Sequence, residues 1–544
     1  MRASQPWKSW ALAAGALLLG LSVLALWIYV DFVDPLPFYN HRYDPEMPYL
    51  LNSLAIFKSR PYMYYDHPGT PVELIGTVIL ALMRPTLQLG SDAFWTYVIA
   101  HPESFLRVAH GLLAVGSAAT AGLMCLRAFK LEHRSDVVIA LGAGASFFVF
   151  LPSYAFSTLS FWTHNSFNFP AGTLLLLLMF IRLRTGKPVQ AWEIALAGIA
   201  TGALTAVQLY FATWVLGAAV CLAVYMALGG RGAIRSLAGG AGACVAAGAG
   251  FLMATGPILH KYREFSWWVK SLIVHQGRFG RGPVGVPSAA SMLTSLGALW
   301  GESGRIFVAG VLVVGLLGLA GYLNRRQTRT QPGWWALAVA LSLQLVLALL
   351  LIAKHPAPMY LLAPAAIAAI LLILALEVFR QHGPRLRLLC VGIGAVVLVL
   401  FLSDLLRAAN GHRAEVAAFE LRVSEIEQHV ASEAARLGKS PDSMLILWGF
   451  GLESRCYALR FGDRYTGRAF REEINETCAR DWAYEASVDL AELPDGSRSL
   501  AEAQGWDLLI IRASDVPSDY ARYGQLSYST DGQIAFIQPM GVGE

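Results

Sequence analysis

Charge is scarce in this sequence: 15% of its 544 residues are Asp, Glu, Lys or Arg, where a soluble domain has roughly 25%. The net charge of +5 is small and gathered at a few clusters, so it argues for topology, and no nucleic-acid partner is expected. Six cysteines are present, without a CxxC or Cys/His metal spacing. What fills the chain instead is apolar sequence. Hydrophobic residues make up 56%, and between residues 10 and 407 several runs reach the roughly 20 residues that cross a bilayer.

The reading is therefore a polytopic α-helical membrane protein. Its first run, "ALAAGALLLGLSVLALWIYV", follows Arg2 and Lys8 and carries no small-x-small cleavage pattern, so an uncleaved signal anchor is expected. Basic clusters mark the cytoplasmic side: Arg2 and Lys8, 127–134, 182–187, Arg231 and Arg235, 324–329, and 380–387. About eleven transmembrane helices satisfy that rule, near 11–30, 106–126, 136–155, 168–182, 192–207, 209–228, 236–256, 303–323, 333–353, 359–379 and 388–407. This puts the N-terminus inside and the C-terminus outside. The stretch 192–228 reads as two short spans or one broken helix, with charge favouring two. The segment 72–83 is too short to span and is expected to lie in the interface or re-enter.

Two domains follow: a transmembrane domain, 1–407, with a large first external loop at 31–104, and an external α/β domain, 408–544. The second opens with a polar helix and continues with strand-length runs "MLILWGF", "WDLLIIRA" and "IAFIQP". It shows no nucleophile elbow, phosphate loop or metal motif. Cys456 and Cys478 lie in it, and a disulfide between them is expected if it faces an oxidising compartment.

The external segments hold the chemistry. "YDPEMPYLLNSLAIFKSRPYMYYDHPGTP" brings Asp44, Glu46, Tyr65, Asp66 and His67, with further tyrosines, to the outer interface. Acids at a helix start also complement its dipole, and Asp31 and Asp34 are further candidates. Carboxylates can deprotonate an acceptor hydroxyl or amine, and aromatic faces can hold a sugar or a polyprenyl chain. Late in the chain comes "KHPAPMY", with Lys354, His355 and Tyr360; a lysine there also suits a helix end at the interface. The basic stretch 261–288 includes Arg278 and Arg281 in "HQGRFGRG", either an anion nest or an irregular connection. His164 and Asn165 are candidates for the same cavity.

The acidic motif after the first helix, followed by "YYDHP" and an apolar helix, resembles the GT-C superfamily of polyprenyl-phosphate-dependent glycosyltransferases. The similar branch is bacterial and contains protein mannosyltransferases and aminoarabinose transferases. "RVAHGLLAVGSAATAGLMCL" and "IAKHPAPMYLLAP" resemble later family segments. The family's Asp-Glu pair is here split by Pro45, and the second proline of its His-Pro-Pro is Gly69.

The resemblance implies a GT-C-like fold in a bacterial inner membrane with a periplasmic C-terminal domain. It implies a sugar moved from a polyprenyl-phosphate donor to a lipid, glycan or protein acceptor, with inversion, among membrane lipids. Asp44 would be the general base. Asp66 and His67 would lie near the donor phosphate, with a divalent metal left open there. Lys354 would neutralise the leaving phosphate and Tyr360 would help position it. Two other readings stand beside it. A transporter or flippase for a lipid-linked sugar would want charged or broken helices near the midplane. A non-catalytic scaffold would tolerate Asp44→Asn.

Overall fold

The computed structural model describes residues 6–40, 43–60, 63–65, 69–128, 134–150, 161–275, 284–285, 288–327, 331–354, 356, 358–449, 452–485, 490–493, 496–500, 502, 505–516 and 524–539. In chain order the first helices are α1 (Pro6–Ile28), α2 (Tyr43–Phe57), α3 (Thr70–Leu87), α4 (Ser91–Ala100), α5 (Pro102–Ala128) and α6 (Arg134–Phe150). Then come α7 (Leu174–Leu183), α8 (Ala191–Val207), α9 (Ala212–Leu228), α10 (Ala233–Ala254), α11 (Tyr262–Val274) and α12 (Ala289–Asn324). The chain continues with α13 (Pro332–Lys354), α14 (Leu362–Gln381), α15 (Pro384–Leu437), α16 (Arg455–Arg464) and α17 (Arg471–Thr477).

Among the described residues nine helices are long and apolar enough to cross a membrane. That is the architecture of a multi-pass helical membrane protein. The spans expected near 136–155, 168–182 and 192–207 correspond to shorter apolar helices, Val137–Phe150, Pro170–Leu183 and Ala191–Val207. One expectation is corrected. The segment at 72–83 belongs to α3, whose 18 residues meet the length and hydropathy for a span. Pro71 starts that helix without needing an amide partner, while Pro85, the third-last residue of the helix, cannot donate to the Ala81 carbonyl, and the helix ends soon after it. The helix stops at Gln88, in left-handed backbone at φ 53°.

Packing separates the chain into two units. A helical unit comprises Met1–Tyr29, Tyr65–Val72 and His110–Asn410; a mixed unit comprises Val30–Tyr64, Glu73–Ala109 and Gly411–Glu544. This differs from a cut at 407. Most of the first loop packs in the same unit as the C-terminal sheet, and α15 runs unbroken for 54 residues through 407–408.

Inside the helical unit α14 is central, with every residue from Leu362 to Phe379 buried. A helix apolar on all sides has no face for solvent, and its alanines let neighbours approach closely. The tightest crossing is α8 on α10. A Cβ on Gly198 would lie 2.5 Å from the Ala243 carbonyl oxygen, one on Gly202 only 1.9 Å from that of Ala247, and one on Gly250 2.3 Å from that of Ile199. Gly198 and Gly202 form a small-xxx-small pair, the pattern by which apolar helices pack where water supplies no driving force.

The mixed unit carries one seven-stranded sheet. Its strands are β1 (Ile446–Gly449), β2 (Asp481–Glu485), β3 (Leu490–Leu493), β4 (Gly496–Arg498), β5 (Leu508–Arg512), β6 (Gly524–Tyr528) and β7 (Ile534–Pro539), in the order β4-β3-β2-β1-β5-β7-β6. β1 pairs in parallel with β2 and β5, and the remaining pairs are antiparallel. Leu447, Leu509, Ile511 and Ile537 fill the core on one face. On the other, Phe536 stacks on His429 of α15 at 3.8 Å. Burial on both faces is why β1 and β5 read as unbroken apolar runs.

Cys456 and Cys478 are joined by a disulfide. With a sequence separation of 22, a loop of this size gives about 3 kcal/mol in the chain-entropy account. Beside it buried Arg460 donates to the carbonyls of Asp481 (2.9 Å) and Cys478 (2.6 Å) and to Asn475 Oδ1 (2.6 Å), with its guanidinium 3.7 Å from the Trp482 ring centroid.

Candidate functional site

In the helical unit, four short connections meet. The first is 161–168, where Trp162 is buried edge-on against Phe167 and His164 and Asn165 are also buried. The second is the turn between α8 and α9. Gln208 adopts extended backbone (φ −157°, ψ 127°), ending α8 before a 3-10 turn, Leu209–Phe211, leads into α9. Two helices, not one, therefore occupy 192–228.

The side chains then lock the connections together. Gln208 Nε2 donates to Asn165 Oδ1 at 3.0 Å, and Asn165 Nδ2 donates to Met359 Sδ at 3.2 Å. Tyr360, in the 3-10 turn Pro358–Leu361, stacks on Tyr210 with ring centroids 6.5 Å apart and planes at 19°. The buried Tyr210 hydroxyl has no hydrogen-bond partner among the described residues. Lys354 closes α13 and its Nζ donates to the Ile273 carbonyl, near the end of α11, at 2.7 Å. The amides already satisfy one another, so their role is to fix the loop ends. The Tyr210 hydroxyl and the Lys354 ammonium are the groups suited to a ligand.

Ends that carry basic clusters meet separately. Arg182 is ion-paired with Glu193. The Tyr225 hydroxyl donates to the Lys187 carbonyl at 2.8 Å, and Arg184 is ion-paired with Glu377. Among α7, α8, α9 and α14, these contacts keep the ends near the basic clusters apart from the ends that meet at 161–168, Gln208 and Pro358–Leu361.

The mixed unit holds Asp44 and Glu46. Asp44 and Glu46 lie in the first turn of α2, and Glu46 is buried. α2 approaches α16 so closely that a Cβ on Gly462 would meet Met47 Cβ at 2.8 Å. Tyr49 and Tyr64 do not form an open aromatic surface. Both are buried, in edge contact with each other at 5.5 Å, and Tyr64 also meets Tyr465 at 5.2 Å. Around them, Lys58 and Arg60 bind Glu473 at 3.3 and 3.1 Å, and His412 Nε2 donates to the Asp34 carbonyl at 2.6 Å.

Asp463, in α16, is buried and accepts from the Thr466 hydroxyl (2.5 Å) and the Phe470 N–H (2.9 Å). Burial raises its pKa against the lowering effect of those bonds. The folded chain therefore keeps this proton to higher pH than the unfolded chain, and stability falls as pH rises from the ordinary aspartate range through the raised value. Asp463→Asn keeps an acceptor oxygen but has no proton to lose. Between pH 4 and pH 7 the thermal midpoint should fall less in this variant than in the natural protein. Parallel curves would contradict this.

Of the other sequence candidates, Asp66, His67, Arg278, Arg281 and His355 lie outside the described residues, as does the side chain of Asp44. Tyr65 is half-buried. In the basic stretch, Trp267 is exposed on α11 while Trp268 is buried against Phe265 at 6.2 Å. Among the described residues no three His, Cys, Asp or Glu side chains are grouped to hold a metal ion.

Sequence reasoning missed Gln208, Tyr210 and Met359. It also missed buried Asp404, whose carboxylate takes Arg305 Nη1 at 2.7 and 2.8 Å and Arg407 Nη1 at 3.0 Å. The available signals were a lone amide in an apolar run and ionisable residues inside apolar helices, which mark such sites by default.

The fold defines a multi-pass helical membrane protein with a small C-terminal α/β sheet. The chain matches no protein-family model and no curated protein sequence.

Proposed function

We propose that the protein is an integral-membrane glycosyltransferase of GT-C type that moves a sugar from a polyprenyl-phosphate donor to an acceptor on the non-cytoplasmic face. What supports this most is the meeting of Asn165, Gln208, Tyr210, Met359 and Tyr360, with Lys354 at one end of α13. These are the connections that the charge rule puts on the outer side. Polar groups gathered at helix ends suit chemistry at an interface.

The roles follow the resemblance. Asp44 takes the proton of the acceptor hydroxyl or amine. The acceptor atom bonds to the anomeric carbon with inversion, and the bond from that carbon to the phosphate oxygen breaks. Its electron pair stays on the polyprenyl phosphate, whose growing charge Lys354 meets. Tyr360 positions the phosphate, and Arg278 and Arg281 offer further positive charge. Asp66 and His67 would be the first candidates to hold a divalent ion, and no step is routed through one.

In proteoliposomes, Asp44→Asn is expected to lower transfer at least about a hundredfold while leaving the thermal midpoint in place. Full activity in both Asp44→Asn and Asp66→Asn would remove the two residues from the site.

A further inference from the structure

Between α7, α8, α9 and α13, in the interior of the helical unit, lies a cavity of about 10 Å³. That is about the least volume that admits one water molecule. Trp214 of α9 and Gln344 of α13 line it, each only 2% exposed. Neither the Trp214 Nε1–H nor the Gln344 Nε2 amide has a hydrogen-bond partner among the described residues. Both are donors, so they cannot satisfy each other. A Cβ on Gly217 would lie 2.5 Å from Gln344 Oε1, so α9 carries a glycine where the amide rests against it. Thr201 of α8 also lines the cavity. Its hydroxyl donates to the carbonyls of Ala197 (3.0 Å) and Gly198 (2.9 Å), which leaves its oxygen able to accept.

We propose that one ordered water occupies this cavity, accepting from Trp214 Nε1 and Gln344 Nε2 and donating to Thr201 Oγ1. Buried donors without an acceptor are costly, and hydrocarbon around the helices offers none. Dry cavities are lined by apolar groups, whereas a buried water needs a few polar partners. Thr201, Trp214 and Gln344 supply them from three different helices. The water thereby ties α8, α9 and α13 together. Trp214 stands about one turn beyond Tyr210, and α13 ends in Lys354, so the tie joins helices next to both candidate ligand groups. The inference does not depend on the glycosyltransferase reading.

The test is X-ray radiolysis of the purified full chain in detergent, read by mass spectrometry. Radiolysis splits a bound water in place, and the hydroxyl radical oxidises the side chain beside it. Trp214 should be oxidised while Trp334 stays protected, since Trp334 is equally buried but its Nε1 donates to the Leu374 carbonyl at 3.0 Å. Peroxide photolysis, which makes the same radical in bulk solvent, should spare both. Gln344→Met, of similar size but without the amide, should lower Trp214 oxidation about fivefold, the effect of one lost hydrogen bond on occupancy. Protection of Trp214 in the natural protein would overturn the site, as a dry cavity or a direct bond between Trp214 and Gln344 would give. So would equal oxidation of Trp334, or oxidation of Trp214 by bulk radicals, which would mean an opening to solvent. Unchanged oxidation in Gln344→Met would overturn it too. The two tryptophans of the natural protein decide the matter even if that variant fails to fold.

Discussion

Lys354→Gln is expected to lower sugar transfer about a hundred- to a thousandfold, the usual effect of removing one group that stabilises developing negative charge. Loss of a cation that acts as the glycosidic bond breaks should appear in kcat, with little change in KM for the donor. The geometry separates this role from a structural one. Lys354 donates to the Ile273 carbonyl, and glutamine retains a donor at that position without the charge. The thermal midpoint should therefore hold while turnover falls. A midpoint that drops in step with activity would make Lys354 a helix-end anchor. Unchanged turnover would remove it from the reaction.

The second large effect concerns the scaffold. Gly202→Ala adds one methyl group, which would sit 1.9 Å from the Ala247 carbonyl oxygen. Backbone stands on the other side, so no rotamer change relieves the clash, and α8 and α10 must separate. A loss of about 3 kcal/mol is expected, the upper range for overpacking, seen as a lower thermal midpoint and poorer recovery in detergent. Gly248→Ala, on α10, meets nothing within 4 Å. That change should be neutral or slightly stabilising, because alanine is the better helix former. Equal behaviour of the two variants would contradict a close approach of α8 and α10 at Gly202.

Much of the helical unit was legible because apolar length and basic clusters are direct consequences of the bilayer. The break at Gln208 was legible in part: charge favoured two spans, although periodicity alone did not separate them. β1, β5 and β7 were legible as apolar runs, whereas β2, "DWAYE", and β6, "GQLSY", are short and polar at their ends. The continuity of α15 was hidden by chemistry. Its side chains turn from apolar to polar near 408, which reads as a domain boundary, yet the strongest helix weakener there is Gly411, at about 1 kcal/mol.

The site was less legible. Lys354, Tyr360 and Asn165 were named from local sequence, but Gln208, Tyr210 and Met359 reach them only through tertiary contact. Tyr49 and Tyr64 misled in the opposite direction, since a tyrosine-rich loop resembles a binding surface until its rings are found in a core.

The most direct test of the central claim follows a labelled sugar on a polyprenyl-phosphate carrier in proteoliposomes containing the natural protein and envelope acceptors. Glycosyl transfer predicts that label leaves the lipid for an acceptor, with one polyprenyl phosphate released for each sugar moved. Intact donor crossing between leaflets, with no label on any acceptor and no free polyprenyl phosphate, would contradict it and make the protein a transporter.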